Sequence, residues 1–391
     1  MASTRSRRAA RQAAASVLSV ASALPAVSPT SPTSAVRAFS SAAGQETYVP
    51  ACEIKVNEGT LLPMIRQAVL EVSVTQNQDP PNQFSIRLAG DALSSPCKHP
   101  FLEGAKVEIG MGYQNRVERI FVGEITALSM EFPSSGEVTL QVEGFDPAHR
   151  LTRGTAYRIF GAPGPEDALS DSDIVTRIAQ EVGMRVDVDA TPKRKKARVQ
   201  QHTTNRTLLN EIVEANNYFL WVEDGTLYFK RRPLTARTVA LEWHKDLLSF
   251  SPRLTTASQV EAVIVRGWDP QQKQAFVSRA SRSPGISNFL SEDGFRMIAQ
   301  GADGKSARVL TDTTVASKEE AQRLADRVLH AQEQEFLTGS GAAVGNANIR
   351  VGTKLKLTKI ERFSATYTVT KATHTYGGEG YQTQFEVSYG G

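Results

Sequence analysis

The sequence has few of the residues that mark stapled, metal-bound or membrane-spanning proteins. Two cysteines, Cys52 and Cys97, occur in 391 residues, which is too few for a disulfide framework, and the sequence leaves open whether they pair. Cys97 and His99 could offer two metal ligands, but no second pair follows at zinc spacing. No apolar run reaches the roughly 18 residues that a spanning helix needs. The sequence therefore predicts no disulfide scaffold, no metal and no membrane span.

Acidic residues are absent from the first 45 residues, which hold five arginines. Subtracting those five charges from the net charge of +4 leaves about −1 for residues 46–391. Sequence-independent phosphate binding needs a far larger basic surplus. The one basic run, 193–196 with Arg198, follows a predicted helix and is typical of a solvated loop. The charge pattern therefore predicts no specific nucleic-acid binding.

Residues 1–45 differ in composition from the rest of the chain, being rich in Ala, Ser and Arg. An Arg-rich, acid-free segment is typical of a mitochondrial or plastid transit peptide, whereas Arg7 and Arg8 ahead of an apolar run are typical of a secretory or twin-arginine signal. A third interpretation is a disordered extension or a start codon placed too far upstream. We expect a disordered extension over 1–47, and a targeting signal stays open.

Two stretches of alternating apolar residues, 104–143 and 352–387, share one layout. Each opens with glycine and lysine, carries an apolar residue followed by threonine at Ile125 and Val369, and turns near glycine. Period-2 alternation predicts strands that are buried on one face. With the alternating runs over 52–88, the first stretch predicts an antiparallel set of about six strands, at the turn spacing of a barrel or sandwich. The sequence therefore predicts a mainly-β protein with a β unit towards each end.

The pattern between these units, over 156–235, is that of a small α+β domain. The carboxylates of Asp171 and Asp173 stand at a helix start, where they are more typical of caps than of an acid–base pair. A second helix follows Asn205. The Asp-Gly pair at 224–225, between two apolar runs, predicts a tight β-hairpin.

The C-terminal part, 236–391, returns to the strand pattern and contains a helical insertion near 317–338. A capping box at 317–320 opens that helix. Residues 270–316 are polar and poorly patterned, which predicts loops with short strands. The glycine-rich run 339–345 lacks the strand before and the helix after that a phosphate loop requires, so it predicts a flexible connector.

No pattern in the sequence carries chemistry, and we predict a non-enzymatic protein with no catalytic, cofactor-binding or metal-binding residues. The six histidines are scattered without a metalloprotease or nucleophile-elbow motif, and His374 is interpreted as structural. Trp221, Trp243 and Trp268 lie on strand-like alternation, which predicts core packing.

The helix at 170–183, the helix at 207–212 and the hairpin at 221–229 resemble, in this order, the middle of the phage late control protein D family. The segment 352–385 is similar to the closing part of the same family. These proteins are baseplate hubs of contractile phage tails, related to the hub portion of the valine-glycine repeat spike proteins of type VI secretion and contractile injection systems. The resemblance covers residues 48–391 and rests on diffuse patterns in the right order.

The resemblance implies a mainly-β α+β fold with two barrels like those of tail-tube proteins. These barrels are expected at 48–155 and 236–391, with the small α+β domain at 156–235 between them and the extension 1–47 in front. It also implies a homotrimer in which six barrels form a ring of near-sixfold symmetry. Such a ring joins a threefold spike to a sixfold inner tube, and neighbouring copies cover exposed strand edges.

The implied partners are an inner tube protein, a spike protein and baseplate wedge proteins, and no cofactor is expected. The chain stops soon after Tyr389, so the spike is expected to be a separate protein, and no lysozyme-like segment is inserted. We expect cytoplasmic assembly into the baseplate of a phage tail or injection particle. One alternative is a cell-wall or carbohydrate-binding module that uses the Trp221 hairpin. The other is an organelle-targeted enzyme, which only residues 1–45 suggest.

Overall fold

Strand pairing organises most of the chain. The computed structural model describes residues 49–389 apart from 79–80, 91–99, 115, 135, 162–168, 194–196, 217, 232–236, 270–271, 283–288, 300–305, 312–314 and 316. The predicted extension 1–47, the pair Cys97 and His99, and most of the basic run lie outside the described residues.

The described strands and helices give a mainly-β α+β protein, which confirms the predicted fold class. The strands are β1 (Pro50–Val56), β2 (Gly59–Thr60), β3 (Val69–Asn77), β4 (Gln83–Ala89), β5 (Lys106–Tyr113), β6 (Arg116–Glu131), β7 (Thr139–Phe145), β8 (Ala156–Phe160), β9 (Arg185–Val188), β10 (Arg198–Thr203), β11 (Phe219–Glu223), β12 (Thr226–Lys230), β13 (Thr238–Glu242), β14 (Leu247–Leu254), β15 (Ala262–Asp269), β16 (Gln274–Ser281), β17 (Ala307–Thr311), β18 (Leu337–Val344), β19 (Lys354–Thr358), β20 (Thr366–Gly377) and β21 (Gly380–Ser388). The helices are α1 (Pro63–Gln67), α2 (Asp171–Glu181), α3 (Asn205–Asn216), α4 (Glu292–Ala299) and α5 (Lys318–Phe336), with 3-10 turns at Pro147–Thr152 and Glu361–Phe363.

One sheet of 13 strands runs through both ends of the chain, in the order β14-β18-β21-β20-β3-β4-β7-β6-β5-β1-β2, with β19 beside β20 and β13 beside β19. It contains two sets of six strands, which we call the first unit (β1 and β3–β7) and the second unit (β13, β14 and β18–β21). Across the sheet, the strands of the first unit lie in the order β3-β4-β7-β6-β5-β1, and those of the second lie in the order β14-β18-β21-β20-β19-β13. The two orders are equivalent when the strands of each unit are matched by their place along the chain. They differ in direction at one place, because β1 is antiparallel to β5 and β13 is parallel to β19.

The two stretches with the same sequence layout occupy equivalent places in these units. Gly104 and Gly352 both have positive φ, 80° and 83°, a conformation that suits glycine. The Gly104 amide donates to the Ile125 carbonyl over 2.8 Å, and the Gly352 amide donates to the Val369 carbonyl over 2.9 Å. A register shift follows Ile125 in one unit and Val369 in the other. The predicted equivalence of 104–143 and 352–387 is therefore confirmed in the backbone.

A cluster of buried apolar side chains is centred on one sheet face of each unit, as period-2 alternation requires, and the cluster of the first unit also includes Tyr381 of the second. The first cluster is centred on Val72, Ile86 and Ile109, and the second on Tyr367 and Phe385. Burial of such side chains is the main favourable contribution to folding, at about 25 cal/mol per Å² of apolar surface.

The α+β region packs α2 and α3 against the sheet β11-β12-β9, with Ile178, Leu209 and Phe229 in a third core. The predicted hairpin at 224–225 and both predicted helices are present. The predicted cap needs a correction, because Ser170 is the N-cap of α2. Its hydroxyl accepts from the Asp173 amide, and the Asp173 carboxylate accepts from the Ser170 amide, so the two residues form a capping box.

The glycine-rich run 339–345 is not a flexible connector, because most of it is strand β18 between β14 and β21. A Cβ atom at Gly339 would lie 2.7 Å from the ring of Phe250, and one at Gly341 would lie 2.8 Å from the ring of Phe385. These glycines therefore let two aromatic rings lie on the strand, and they do not serve flexibility.

The chain segment that connects β14 to β18 forms a fourth core, in which α5 packs across the sheet β16-β15-β17. Val263, Val265, Ala321 and Ala325 are buried there. The predicted helix near 317–338 is present as α5, and the pattern over 270–316 did not predict α4. The domain boundaries proposed from the sequence stay a prediction.

Candidate functional site

The two units meet along one ladder, which we call the closed junction. Strand β20 pairs with β19 at its beginning and with β3 further on, from Lys371 opposite Asn77 to Gly377 opposite Glu71. Because the same strand belongs to the second unit and borders the first, a continuous ladder of backbone hydrogen bonds joins the units. The closed junction therefore lies inside the sheet, between its two sets of six strands.

The buried face of the closed junction carries a histidine that has no access to solvent. His374 lies opposite Val74, and both side chains are fully buried. The His374 Nδ1 atom is 2.9 Å from the Tyr381 hydroxyl and 3.2 Å from the Thr383 hydroxyl. Burial lowers the pKa of His374 to about 3, and the positive charge of Arg350 acts in the same direction. His374 is thus a neutral packing residue, which supports its structural interpretation.

The opposite face of the closed junction is polar. The hydroxyls of Thr75 and Thr373, which stand directly opposite each other, are 3.2 Å apart. On the buried side, Tyr113 of the first unit donates a hydrogen bond of 3.0 Å to the Gly345 carbonyl, and its ring packs against Tyr381 in the first core. Side chains of the two units therefore interlock beside the ladder.

The tip of the β11–β12 hairpin is bound to the sheet by two arginines. Arg119 forms an ion pair of 2.9 Å with Asp224, and Asp224 raises the Arg119 pKa. Arg350 forms an ion pair of 3.0 Å with Glu223 and donates to the Arg119 carbonyl over 2.6 Å. Half-exposed ion pairs of this kind contribute only about 0–1 kcal/mol each. Their effect is to hold the hairpin in one orientation against both units.

Among the strand edges that lack a neighbour in the described part of the chain, two lie at equivalent ends of the two units, and we call these two the open edges. The part of β6 from Ala127 to Glu131 pairs only with β7, and β14 from Ser249 to Leu254 pairs only with β18. Large apolar side chains lie at these edges: Met130 is 47% exposed and Phe132 is 72% exposed. An unpaired edge with apolar side chains is a template for another chain.

Two further apolar patches face solvent outside the main sheet. One lies on the β8–β10 ribbon, where Tyr157 and Ile159 are exposed. The other lies on the side of the β16-β15-β17 sheet away from α5 and includes Trp268 and Val277. Both are candidate contact surfaces for partners.

The tryptophans are only partly in cores, so the predicted core packing is wrong for Trp268, which is 56% exposed. Trp243 packs against the core of the second unit. Trp221 stacks on Tyr228 with ring centroids 4.9 Å apart, and Val222 beside it is the buried residue of β11. A sugar-binding platform needs an open aromatic face, and Tyr228 covers one face of the Trp221 ring.

The titratable groups of the described part of the chain do not form a metal centre, since no group of three or more potential ligands is present there. Asp171 forms an ion pair with Arg198 and accepts from Asn216, as a structural carboxylate does. Burial raises the pKa of the Cys52 thiol to about 12, so it is not a reactive thiolate. Among the described residues, no helix is long and apolar enough to cross a membrane.

Comparison with known proteins gives a family and a fold. The model of the Alg8 N-terminal domain family matches residues 51–377. No curated protein sequence matches the chain.

Solved structures with a similar fold are tail proteins and a secretion component. The 43 kDa tail protein of prophage MuSo2 from Shewanella oneidensis has a TM-score of 0.65 at 12% identity, over 86% of this chain and 98% of that one. The tail protein from Neisseria meningitidis MC58 has a TM-score of 0.61 at 13% identity, over 88% and 97%. The E. coli c3393 protein, a type VI secretion component similar to T4 bacteriophage tail proteins gp27 and gp5, has a TM-score of 0.51 at 12% identity, over 86% and 76%. The predicted baseplate-hub-like fold is thereby confirmed.

Proposed function

We propose that this chain, which belongs to the Alg8 N-terminal domain family, is the structural, non-enzymatic hub of a baseplate. The baseplate would be that of a contractile phage tail or of a phage-tail-like injection particle. The observation that carries the proposal is the repeated strand order of the two units and their fusion at the closed junction. A chain built in this way presents two equivalent sheet units side by side.

The proposed assembly is a homotrimer. Three copies with two equivalent units each supply six units, so a ring with threefold symmetry imitates sixfold symmetry. Such a ring adapts a threefold spike on one rim to a sixfold inner tube on the other. The domains at 48–155 and 236–391 are the ring-forming units in this proposal, and the domain at 156–235 lies between them in sequence.

The proposed partners are a separate spike protein, the inner tube protein and baseplate wedge proteins. One rim of the ring nucleates the tube, the other seats the spike, and the hub leaves the particle with the spike when the sheath contracts. The apolar patch with Tyr157 and Ile159 supports a wedge contact on the α+β region, because an isolated chain gains nothing by exposing it.

Co-expression with candidate tube and spike proteins tests this function. The expected result is a hub-containing ring, visible by negative-stain electron microscopy and with the mass of three hub copies plus its partners. The matched control is the tube protein expressed with the spike protein but without the hub, which should form no such particle. A hub that stays a stable monomer and binds neither partner would overturn the proposal.

A further inference from the structure

The open edges are the equivalents of the two strands that form the closed junction. In the shared strand order, β6 of the first unit corresponds to β20 of the second, and β3 of the first corresponds to β14 of the second. Strands β20 and β3 pair within the chain, whereas the corresponding stretches of β6 and β14 pair on one side only, with β7 and β18, and have no neighbour on the other side among the described residues. We infer that the β6 edge of one copy pairs with the β14 edge of a second copy, repeating the closed junction between chains. This inference rests on the proposed hub function.

Four β-bulges fix the correspondence residue by residue. The β3–β4 register shifts between Val69 and Glu71, and the β14–β18 register shifts between Leu247 and Ser249. The residue skipped in each case is an exposed leucine in the same position of its strand. The shift after Ile125 in β6 matches the shift after Val369 in β20, so the equivalent of residue 71 is 249 and the equivalent of residue 371 is 127. Bulges are specific features that pin a register.

Transferring the register of the closed junction gives the register between chains. The central pairs of the closed junction run from Ala372 opposite Gln76 to Tyr376 opposite Val72. Their equivalents place the following residues of one copy opposite residues of the next: Leu128 opposite Leu254, Ser129 opposite Arg253, Met130 opposite Pro252, Glu131 opposite Ser251 and Phe132 opposite Phe250.

The side chains agree with this register on both faces. On the face that is buried in the closed junction, the three equivalent pairs are Leu128 with Leu254, Met130 with Pro252 and Phe132 with Phe250, all apolar. On the other face, the pairs of Ser129 with Arg253 and of Glu131 with Ser251 are polar, as Thr373 and Thr75 are. A slip by one residue would turn every side chain to the other face and lose this match.

The inference also accounts for exposed apolar side chains. Met130 and Phe132, 47% and 72% exposed in the single chain, would enter the buried face of the new junction. Their equivalents in the closed junction, His374 and Tyr376, face Val74 and Val72. Pro252 has no amide hydrogen, so the new ladder lacks a bond at that position. That makes the junction between chains weaker than the one within the chain.

A pair of disulfide experiments tests the register directly. In a background with Cys52→Ala and Cys97→Ser, the test variant is Ser129→Cys with Arg253→Cys, in the full chain. The matched control is Thr75→Cys with Thr373→Cys, which stand directly opposite each other in the ladder within the chain, where cross-strand Cβ atoms lie close together. After mild oxidation, non-reducing electrophoresis should show most of the test variant linked between chains, and the control linked only within its chain.

Single-cysteine variants show whether each open edge contacts the other kind of edge or its own kind. Ser129→Cys alone and Arg253→Cys alone should not link, whereas a mixture of the two should, because each edge meets the other kind of edge. Linking of Ser129→Cys with itself would overturn the inference. So would an unlinked test variant beside a control that closes its own disulfide.

Mass photometry of the protein without added cysteines separates this inference from the proposed function. A ring-sized oligomer whose test variant does not link would overturn the β6–β14 contact and leave the hub function standing. A monomer that binds neither tube nor spike protein, with no linking, would overturn both. Circular dichroism of each variant confirms that it folds like the parent.

Discussion

The closed junction and the open edges are built from equivalent strands, but in a single chain the strands of the closed junction are paired and buried, whereas the open edges are unpaired on one side. At the closed junction, Val72, Val74 and His374 are fully buried. At the open edges, Met130 and Phe132 are largely exposed. The backbone layout is the same in both places, so the difference lies in whether the partner strand belongs to the same chain. An edge that is paired within the chain contributes to folding, and we infer that an edge left open serves assembly.

The largest effect is expected from a charge in the closed junction. Val72→Asp places a carboxylate without a cationic partner opposite Tyr376, in a site with no exposure. We expect the free energy of unfolding to fall by about 3 kcal/mol or more, because a buried charge without a partner costs that much. Chemical denaturation followed by circular dichroism measures this loss. Unchanged stability would mean that the two units do not fold as one sheet.

The same charge at the open edge is expected to leave the stability of the single chain nearly unchanged and to prevent the association of copies. Met130→Asp lies at an exposed position, where surface substitutions change stability by about 0.5 kcal/mol or less. The carboxylate would have to be buried against Pro252 of the next copy, so oligomers should be lost. Sedimentation velocity of this variant beside the parent protein measures the change. Glu131→Asp, which keeps the polar face polar, is the control and should assemble normally.

Filling the space over β18 tests whether its glycines serve packing. At Gly341, a Cβ atom would lie 2.8 Å from the ring of Phe385, so Gly341→Ala should cost about 1–3 kcal/mol through overpacking. A Cβ atom at Gly378 would have no other atom within 4 Å. Gly378→Ala is therefore the matched control, and its stability should change little. Thermal unfolding of the two variants compares them. Equal melting temperatures would contradict the packing role.

Acid is expected to weaken the closed junction through His374. The pKa of His374 is lowered to about 3 in the folded protein and is near 6.5 in an unfolded chain. Between these values the unfolded chain binds more protons, so stability falls as the pH falls, by at most about 1.4 kcal/mol per pH unit from this group. His374→Asn should remove that part of the slope. Denaturation from pH 7 to pH 4 measures both slopes, and parallel slopes would exclude His374 as the cause.

The smallest effect is expected at Pro252. Pro252→Val supplies the amide hydrogen that the equivalent Val74 has, and one ladder bond contributes about 0.5–1.5 kcal/mol. Association between copies should therefore tighten by roughly threefold to tenfold. Mass photometry over a dilution series measures the dissociation constant. Weaker association in this variant would contradict pairing at the β14 edge.

Local patterns in the sequence predicted much of this fold. The Asp-Gly turn at 224–225, the helices after Ser170 and Asn205, and the repeated stretches depend on residues close together in the chain, so their patterns can be read directly. Even there, the cap of α2 was placed one residue late, because Ser170 and Asp173 share the capping work.

Features that depend on distant residues could not be predicted. The glycines of β18 indicated a connector, because the rings of Phe250 and Phe385 that require them come from other strands. The closed junction joins Thr75 to Thr373, which are 298 residues apart, and no local signal specifies such a pairing. Trp268 has the alternation of a core strand, but among the described residues no layer covers the face that it occupies, and its side chain is exposed.

Strand β20 pairs with strands of both units, and this has a consequence for the curvature of the sheet. Because one strand pairs with β19 and then with β3, no linker separates the two units at the ladder. Neighbouring strands in a sheet are rotated by a roughly constant angle of about 20–25°. The angle between the units is therefore set by backbone geometry, and a closed particle made from such ladders would have a bore whose width is encoded in one polypeptide.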